Sequence, residues 1–240
     1  GMMDALICMI HFVIIWLLCD GVTALLQKKT GKPAKWSRQE VAGLFAIILT
    51  AGYLICGWFL ANHVWEVPYT LHTEKQTGLL RVVQFADSHV GTTFDGKGLE
   101  KYVEEMQQTN PDVVVITGDF VDDDTSKQDM IDACHALSKL NPTYGVYFVF
   151  GNHDKGYYDP EFLGYDGDDL IKELEKNGVH VLQDDVELID NRFYLIGRQD
   201  RSEEQKGGSR ASMQKLTENL DTSKYSIVLD HQPHDYDNQA

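Results

Sequence analysis

The sequence predicts an α/β layered domain preceded by a pair of apolar helices, and three observations predict it. Two long, nearly uncharged stretches open the chain. From Leu79 onward, short β-branched runs alternate with amphipathic segments of helical period. Four of the apolar runs end in a short polar string: Asp87-Ser88-His89, Gly118-Asp119-Phe120-Val121-Asp122, Gly151-Asn152-His153-Asp154 and Asp230-His231-Gln232-Pro233.

The first stretch, Ala5 to Leu26, is broken by His11 and Asp20; the second, Val41 to Trp65, by Asn62 and His63. A bilayer core takes about 20 mostly apolar residues as helix, so both are long enough to span it. The first lacks the basic leader and the small-residue cleavage site of a signal peptide. A pair of buried helices in a soluble fold is the alternative. Residues 1–65 are therefore expected to form a membrane hairpin, with helices over about 5–26 and 41–65. Between the spans lie Lys28, Lys29, Lys32, Lys35 and Arg38. Such a basic loop stays cytoplasmic, which puts the following domain outside the membrane, on the extracytoplasmic side of a multi-pass protein. Trp58 and Trp65 would then sit near one interface.

Residues 66–78 read as a polar linker containing Pro68 and a possible strand, Tyr69 to Thr73. Leu79 to Phe85 is an apolar strand. Gly98 to Gln108 places Leu99, Tyr102, Val103 and Met106 on one helix face, and Asn110-Pro111 ends it. Val113 to Thr117 is a strand, Ser126 to Leu140 a helix and Val146 to Phe150 a third strand. Asp168 to Asn177 is helical, closed by Gly178. Val179 to Leu182, Val186 to Ile189 and Phe193 to Ile196 read as a meander of short strands. Ala211 to Leu220 is a helix and Ile227 to Leu229 the last strand. His180, inside a strand, reads as structural.

The chain has 240 residues and a formal charge of −16. Up to Trp65, five bases face three acids, a net of +2, which leaves −18 for the rest. So acidic a domain repels a phosphate backbone and argues against nucleic acid as a partner. It suits a site that loads cations. Cys8, Cys19, Cys56 and Cys134 form neither a CxxC nor a paired framework, so no structural zinc or disulfide is indicated.

Sites in open α/β sheets form beyond the carboxyl ends of strands, where all four strings lie. They gather carboxylates, imidazoles and one amide, a donor set for hard-to-borderline divalent metals. Asp87 and His89 flank Ser88, so an extended backbone would turn both side chains to one side, able to grip one ion. Taken alone, a turn aspartate beside a surface histidine fits as well. Asp119 has two oxygens and can bridge two cations, or it can cap a turn. Asp122 can cap likewise, or orient a neighbouring histidine. The Asn152 amide oxygen is a neutral ligand that limits negative charge. His153, next to it, is left free to face a substrate, with Asp122 or Asp154 able to hold its tautomer. His231 at a strand end, its turn fixed by Pro233, reads as a last ligand; His234 is a weaker candidate.

The strings D-x-H, GDxxD, GNHD and a late H-x-P resemble the calcineurin-like metallophosphoesterase superfamily. With the hairpin before them, they resemble its membrane-associated bacterial branch of the YkuE/YaeI type. The resemblance implies a four-layer αββα sandwich over 79–240. It also implies two divalent metal ions (Mn, Fe, Zn or Mg) and hydrolysis of a phosphodiester or phosphomonoester by metal-activated hydroxide. By the same resemblance Asp87 and His89 hold one metal, Asp119 bridges, Asn152 and His231 hold the other, and His153 is catalytic. The substrate is then a phosphate ester, and the anchor at the bilayer favours a lipid-linked one. The family's G-H-x-H string after the His231 segment is missing before Ala240, so the domain is expected to be truncated before its last ligand motif. The alternative function is a non-catalytic, membrane-anchored binding protein with a degenerate phosphoesterase fold.

Overall fold

The computed structural model describes residues 2–30, 38–155 and 160–235. The chain forms two compact units, Gly1–Val67 and Pro68–Ala240.

The first unit is α1 (Met2–Thr30) packed on α2 (Arg38–Asn62). Ala42, Ala46 and Thr50 recur every four residues on one face of α2 and are buried. Their small side chains let the two backbones approach. His11 stacks on Tyr53 with ring centroids 5.4 Å apart. The outward faces are apolar: Leu25 and Trp58 are each 69% exposed. That is the reverse of a water-soluble pair, and both helices are long and apolar enough to cross a membrane. The first helix runs past its expected end to Thr30, while the second starts early, at Arg38, and stops at Asn62, short of Trp65. Lys28 and Lys29 form the last turn of α1, where cations complement the helix dipole. Lys32 and Lys35 of the expected loop lie outside the described residues.

In the second unit, β1 (Val82–Phe85), α3 (Leu99–Gln108), β2 (Val113–Thr117), α4 (Lys127–Leu137) and β3 (Val146–Val149) alternate, followed by a short α5 (Pro160–Leu163), α6 (Gly167–Lys176) and β4 (Val179–Val181). The four strands form a parallel sheet in that order. A second sheet holds β5 (Asp185–Ile189), β6 (Phe193–Gly197) and β7 (Tyr225–Leu229); β5 is antiparallel to β6, and β7 parallel to it. Two short helices, α7 (Ser202–Gln205) and α8 (Met213–Thr217), lie between β6 and β7 in the chain.

Period-two alternation sorts the side chains into layers. Val114, Ile116, Val146 and Phe148 pack under α3, α4 and α6 with Leu99, Val103, Met130, Leu137, Leu170 and Leu174. The opposite face of the same strands, Val113, Val115, Tyr147 and Val149, meets Ile189, Phe193, Leu195 and Leu229 of the second sheet. The outer face of that sheet, Tyr194 and Ile196, is covered by Met213 and Leu216. The result is a helix–sheet–sheet–helix sandwich, which is why β2 and β3 read as unbroken apolar runs. Ser126 and Asp166 cap α4 and α6 by accepting from the N–H of Asp129 and Asp169, each worth about 1 kcal/mol.

Three expectations are corrected. Tyr69 to Thr73 forms no strand: among the described residues no strand pairs with it, and Tyr69 and Leu71 are 84% and 81% exposed. The run from Val179 to Ile196 is not one meander. Its first strand joins the parallel sheet, and the chain passes into the second sheet at Asp184, which holds φ +61°. Asp184 fixes that corner by accepting from the N–H of Gln199 (3.0 Å) and Ala211 (2.7 Å). The helix expected from Ala211 starts at Met213, because Ser212 caps it and the Ala211 N–H is already committed to Asp184.

Candidate metal centre

Four carboxyl-terminal strand ends supply the site: β1 leads to Asp87 and His89, β2 to Asp119 and Asp122, β3 to Asn152 and His153, and β7 to His231. Beyond the sheet proper, the first two exits stay laced together. Asp87 N–H donates to Gly118 O (3.0 Å), His89 N–H to Asp119 O (3.1 Å) and Val90 N–H to Phe120 O (3.1 Å). The buried Ser88 hydroxyl adds a bond to Phe120 O at 3.0 Å.

Asp87, His89 and Asp119 hold φ of +54°, +39° and +50°. Left-handed backbone costs a non-glycine residue on the order of 1 kcal/mol or more, and such residues gather at functional sites. This corrects the extended geometry expected for Asp87 and His89. Their side chains converge because the backbone curls, bringing His89 Nε2 to 4.0 Å from Asp87 Oδ1. Gly118 (φ +86°) admits no side chain, since a Cβ there would lie 2.5 Å from Gly151 N. A Cβ on Gly151 would in turn strike the Asp119 carboxylate. The two glycines let the loops after β2 and β3 touch.

Asp119 is the hub. It is 4% exposed, and its Oδ2 lies 3.3 Å from His231 Nε2 and 3.7 Å from His89 Nε2. Its Oδ1 accepts the His153 N–H at 2.9 Å. Burial alone would raise its pKa, but the His231 contact and the His153 N–H hold it below the ordinary carboxylate value. For His231, burial favours the neutral ring, yet Asp119 and the Thr117 carbonyl raise its pKa to about 9.

The other ring nitrogens reveal what the site suits. His231 Nδ1 donates to Thr117 O at 2.8 Å. In a neutral imidazole, Nε2 then carries a lone pair, and that lone pair faces a carboxylate. His89 has Nδ1 3.0 Å from Asp122 Oδ2, close but outside hydrogen-bond geometry, and Nε2 turned toward Asp87 and Asp119. Lone pairs facing lone pairs require a proton or a cation between them. One donor atom each from Asp87, Asp119 and His231 lies within 4.8 Å of the others. These oxygen and imidazole donors, without sulfur, fit a hard-to-borderline divalent metal.

His153 sits beside this cluster, its ring 5.2 Å from that of His89. Its Nδ1 lies 3.2 Å from Asp123 Oδ2 and 3.5 Å from Asp122 Oδ1. Asp123, outside the residues the sequence analysis singles out, thus joins the candidate site; adjacency to Asp122 is its only signal. The Asn152 amide oxygen accepts from the Gln232 side chain, a partner with no signal in the string. Asp154 is corrected. Its 2%-exposed carboxylate accepts four backbone N–H groups, from Gly151 (2.7 Å), Asp119 (2.9 Å), Phe120 (2.7 Å) and Val121 (3.1 Å). It organises two loops rather than an imidazole. Burial pushes its pKa up to about 6 against the pull of those donors.

The calcineurin-like phosphoesterase family matches residues 80–240. The chain is 32% identical over 202 residues to the uncharacterized metallophosphoesterase YkoQ of Bacillus subtilis, covering 79% of this chain and 70% of YkoQ. It is 32% identical over 133 residues to YkuE of the same organism, covering 50% and 46%. It is 30% identical over 177 residues to a zebrafish protein named as a transmembrane protein with a metallophosphoesterase domain, covering 70% and 38%. The chain therefore spans less than half the length of the last two relatives.

Proposed function

The chain belongs to the calcineurin-like phosphoesterase family, in its YkuE-like branch, and from that premise we propose that it is a membrane-anchored, metal-dependent hydrolase of phosphate esters. The observation that supports this most directly is that Nε2 of both His89 and His231 turns onto the Asp119 carboxylate. In this reading Asp87 and His89 hold one divalent ion, Asn152 and His231 a second, and Asp119 both. Ions bound there neutralise phosphate charge and bring the pKa of a water near neutrality.

The chain's own residues do the rest. His153, its Nδ1–H donated to Asp123, would in its doubly protonated form present Nε2–H to the ester, give that proton to the departing oxygen and be left as the neutral ring. Asp122 lies against Nδ1 of His89, which leaves Nε2 as the nitrogen toward the cluster. Gln232 holds the Asn152 amide with its oxygen toward a donor, fixing which end of the amide is which. Asp154 keeps the loops after β2 and β3 at fixed separation.

Residues 1–65 form the membrane hairpin, 66–78 the linker and 79–240 the phosphoesterase domain. The basic residues from Lys28 to Arg38, at the joined ends of the helices, remain cytoplasmic, and the domain lies outside. The −18 charge of the remainder disfavours nucleic acid. A phosphodiester or monoester presented at a bilayer, such as a lipid-linked phosphate, suits the anchor.

The test is hydrolysis of bis-p-nitrophenyl phosphate and p-nitrophenyl phosphate by the full chain in detergent with added Mn²⁺. We expect turnover that EDTA abolishes and Mn²⁺ restores. A chain that binds Mn²⁺ but hydrolyses neither ester would favour a non-catalytic binding protein.

A further inference from the structure

The turn after β7, residues 230–235, carries two of the groups the site depends on: His231, and Gln232, which holds Asn152. It has no helix or strand of its own. What holds it comes from the neighbouring strand. Arg198 follows β6 directly, and its N–H donates to Leu229 O at 3.0 Å. Its Nη1 reaches Asp230 Oδ2 at 2.9 Å and Asp235 Oδ1 at 2.8 Å. One guanidinium nitrogen therefore grips both ends of the turn. Arg210 adds an ion pair to the same Asp230 oxygen. The side chains of Arg198, Arg210 and Asp230 are only 3%, 2% and 3% exposed.

Buried charges of this kind are a poor source of stability, because desolvation offsets much of the attraction, and apolar residues of similar size often serve as well. Their geometry is what an apolar contact lacks: one charged nitrogen donating to two carboxylates fixes direction as well as distance. We propose that Arg198 is a positioning residue for His231, closing the 230–235 turn so that Nε2 stands over Asp119. This rests on the reading of His231 as a metal ligand. Nothing in the polar strings marks Arg198, which is 33 positions from His231 in the chain and contributes no donor to the cluster.

The experiment titrates the full chain in detergent with Mn²⁺ by calorimetry. Removing a group that orients a ligand weakens metal affinity about 10–100-fold, and that is the loss expected for Arg198→Met. Arg198→Lys keeps a cation between the two carboxylates and should recover most of it. The double variant Arg198→Met, His231→Ala should bind no more weakly than His231→Ala alone, since Arg198 acts through that ring. A general structural role would instead make the two losses add.

Wild-type affinity in a folded Arg198→Met, or additive losses in the double variant, would overturn the proposal. If Arg198→Met does not fold, Asp235→Asn, a quarter exposed, releases one end of the turn. Several-fold weaker Mn²⁺ binding then supports the clamp, and unchanged binding overturns it. If His231→Ala alone leaves affinity unchanged, the ligand reading itself falls and the clamp with it. That result is distinct from a clamp failure, in which His231→Ala weakens binding and Arg198→Met does not.

Discussion

His231 Nε2 and Asp119 Oδ2 face each other across 3.3 Å, while the opposite nitrogen of the same ring donates to the Thr117 carbonyl. The pair is held together by a proton in the metal-free protein, and a metal entering there must displace it. His231, raised to about 9, is protonated at neutral pH. Mn²⁺ binding should therefore release a proton, and affinity should rise about tenfold per pH unit until pH nears 9. Calorimetry in two buffers of different ionisation enthalpy checks this; identical heats would contradict it. Without metal the signs run in opposite directions for the two partners. The raised His231 pKa adds stability that is complete below about 6.5 and lost as pH climbs through about 9. The lowered Asp119 pKa adds stability present above its ordinary value and lost on acidification.

Asp119→Asn replaces a two-oxygen acceptor at the hub with an amide whose nitrogen cannot ligate. The variant should lose most bound metal together with activity. Elemental analysis after dialysis against Mn²⁺ decides the matter, and an undiminished metal content would count against a bridging role.

His153→Ala removes the ring but keeps the backbone N–H that donates to Asp119 Oδ1. Turnover should fall about 10²–10⁴-fold with metal content nearly intact, as for loss of a general acid. Loss of metal in this variant would refute the catalytic assignment.

Asp154→Asn puts an NH₂ group against two of the four backbone donors that the carboxylate now accepts. Buried donors left without acceptors cost about 1–3 kcal/mol. Urea unfolding should show the midpoint falling by a corresponding amount. Stability equal to wild type would mean that the loops find other acceptors.

The strand ends were readable because β-branched runs such as Val113 to Thr117 stop abruptly at glycine and acid, and parallel sheets place such stops at one edge. The four layers follow from runs buried on both faces. What stayed hidden depends on backbone or tertiary detail without a residue-type signature. The left-handed turns at Asp87 and His89 are one case, since aspartate and histidine occur everywhere in loops. Asp154 is another: its spacing in the string suited an imidazole, but the amides of a distant loop reach it first. Asp123 and Gln232 act through neighbours brought close only by folding. The corner at Asp184 split the apparent meander because a positive φ at aspartate leaves no periodic trace.

The hydrogen bonds that lace 87–90 to 118–121 have a dynamic consequence. Two of the segments that carry the site's donors are extensions of adjacent paired strands, so neither can swing open without unzipping the other. Their amides should share a single exchange-protection class with the central sheet rather than the fast exchange of surface turns. The spacing between Asp87 and Asp119 is thereby inherited from sheet geometry, set before any ligand arrives.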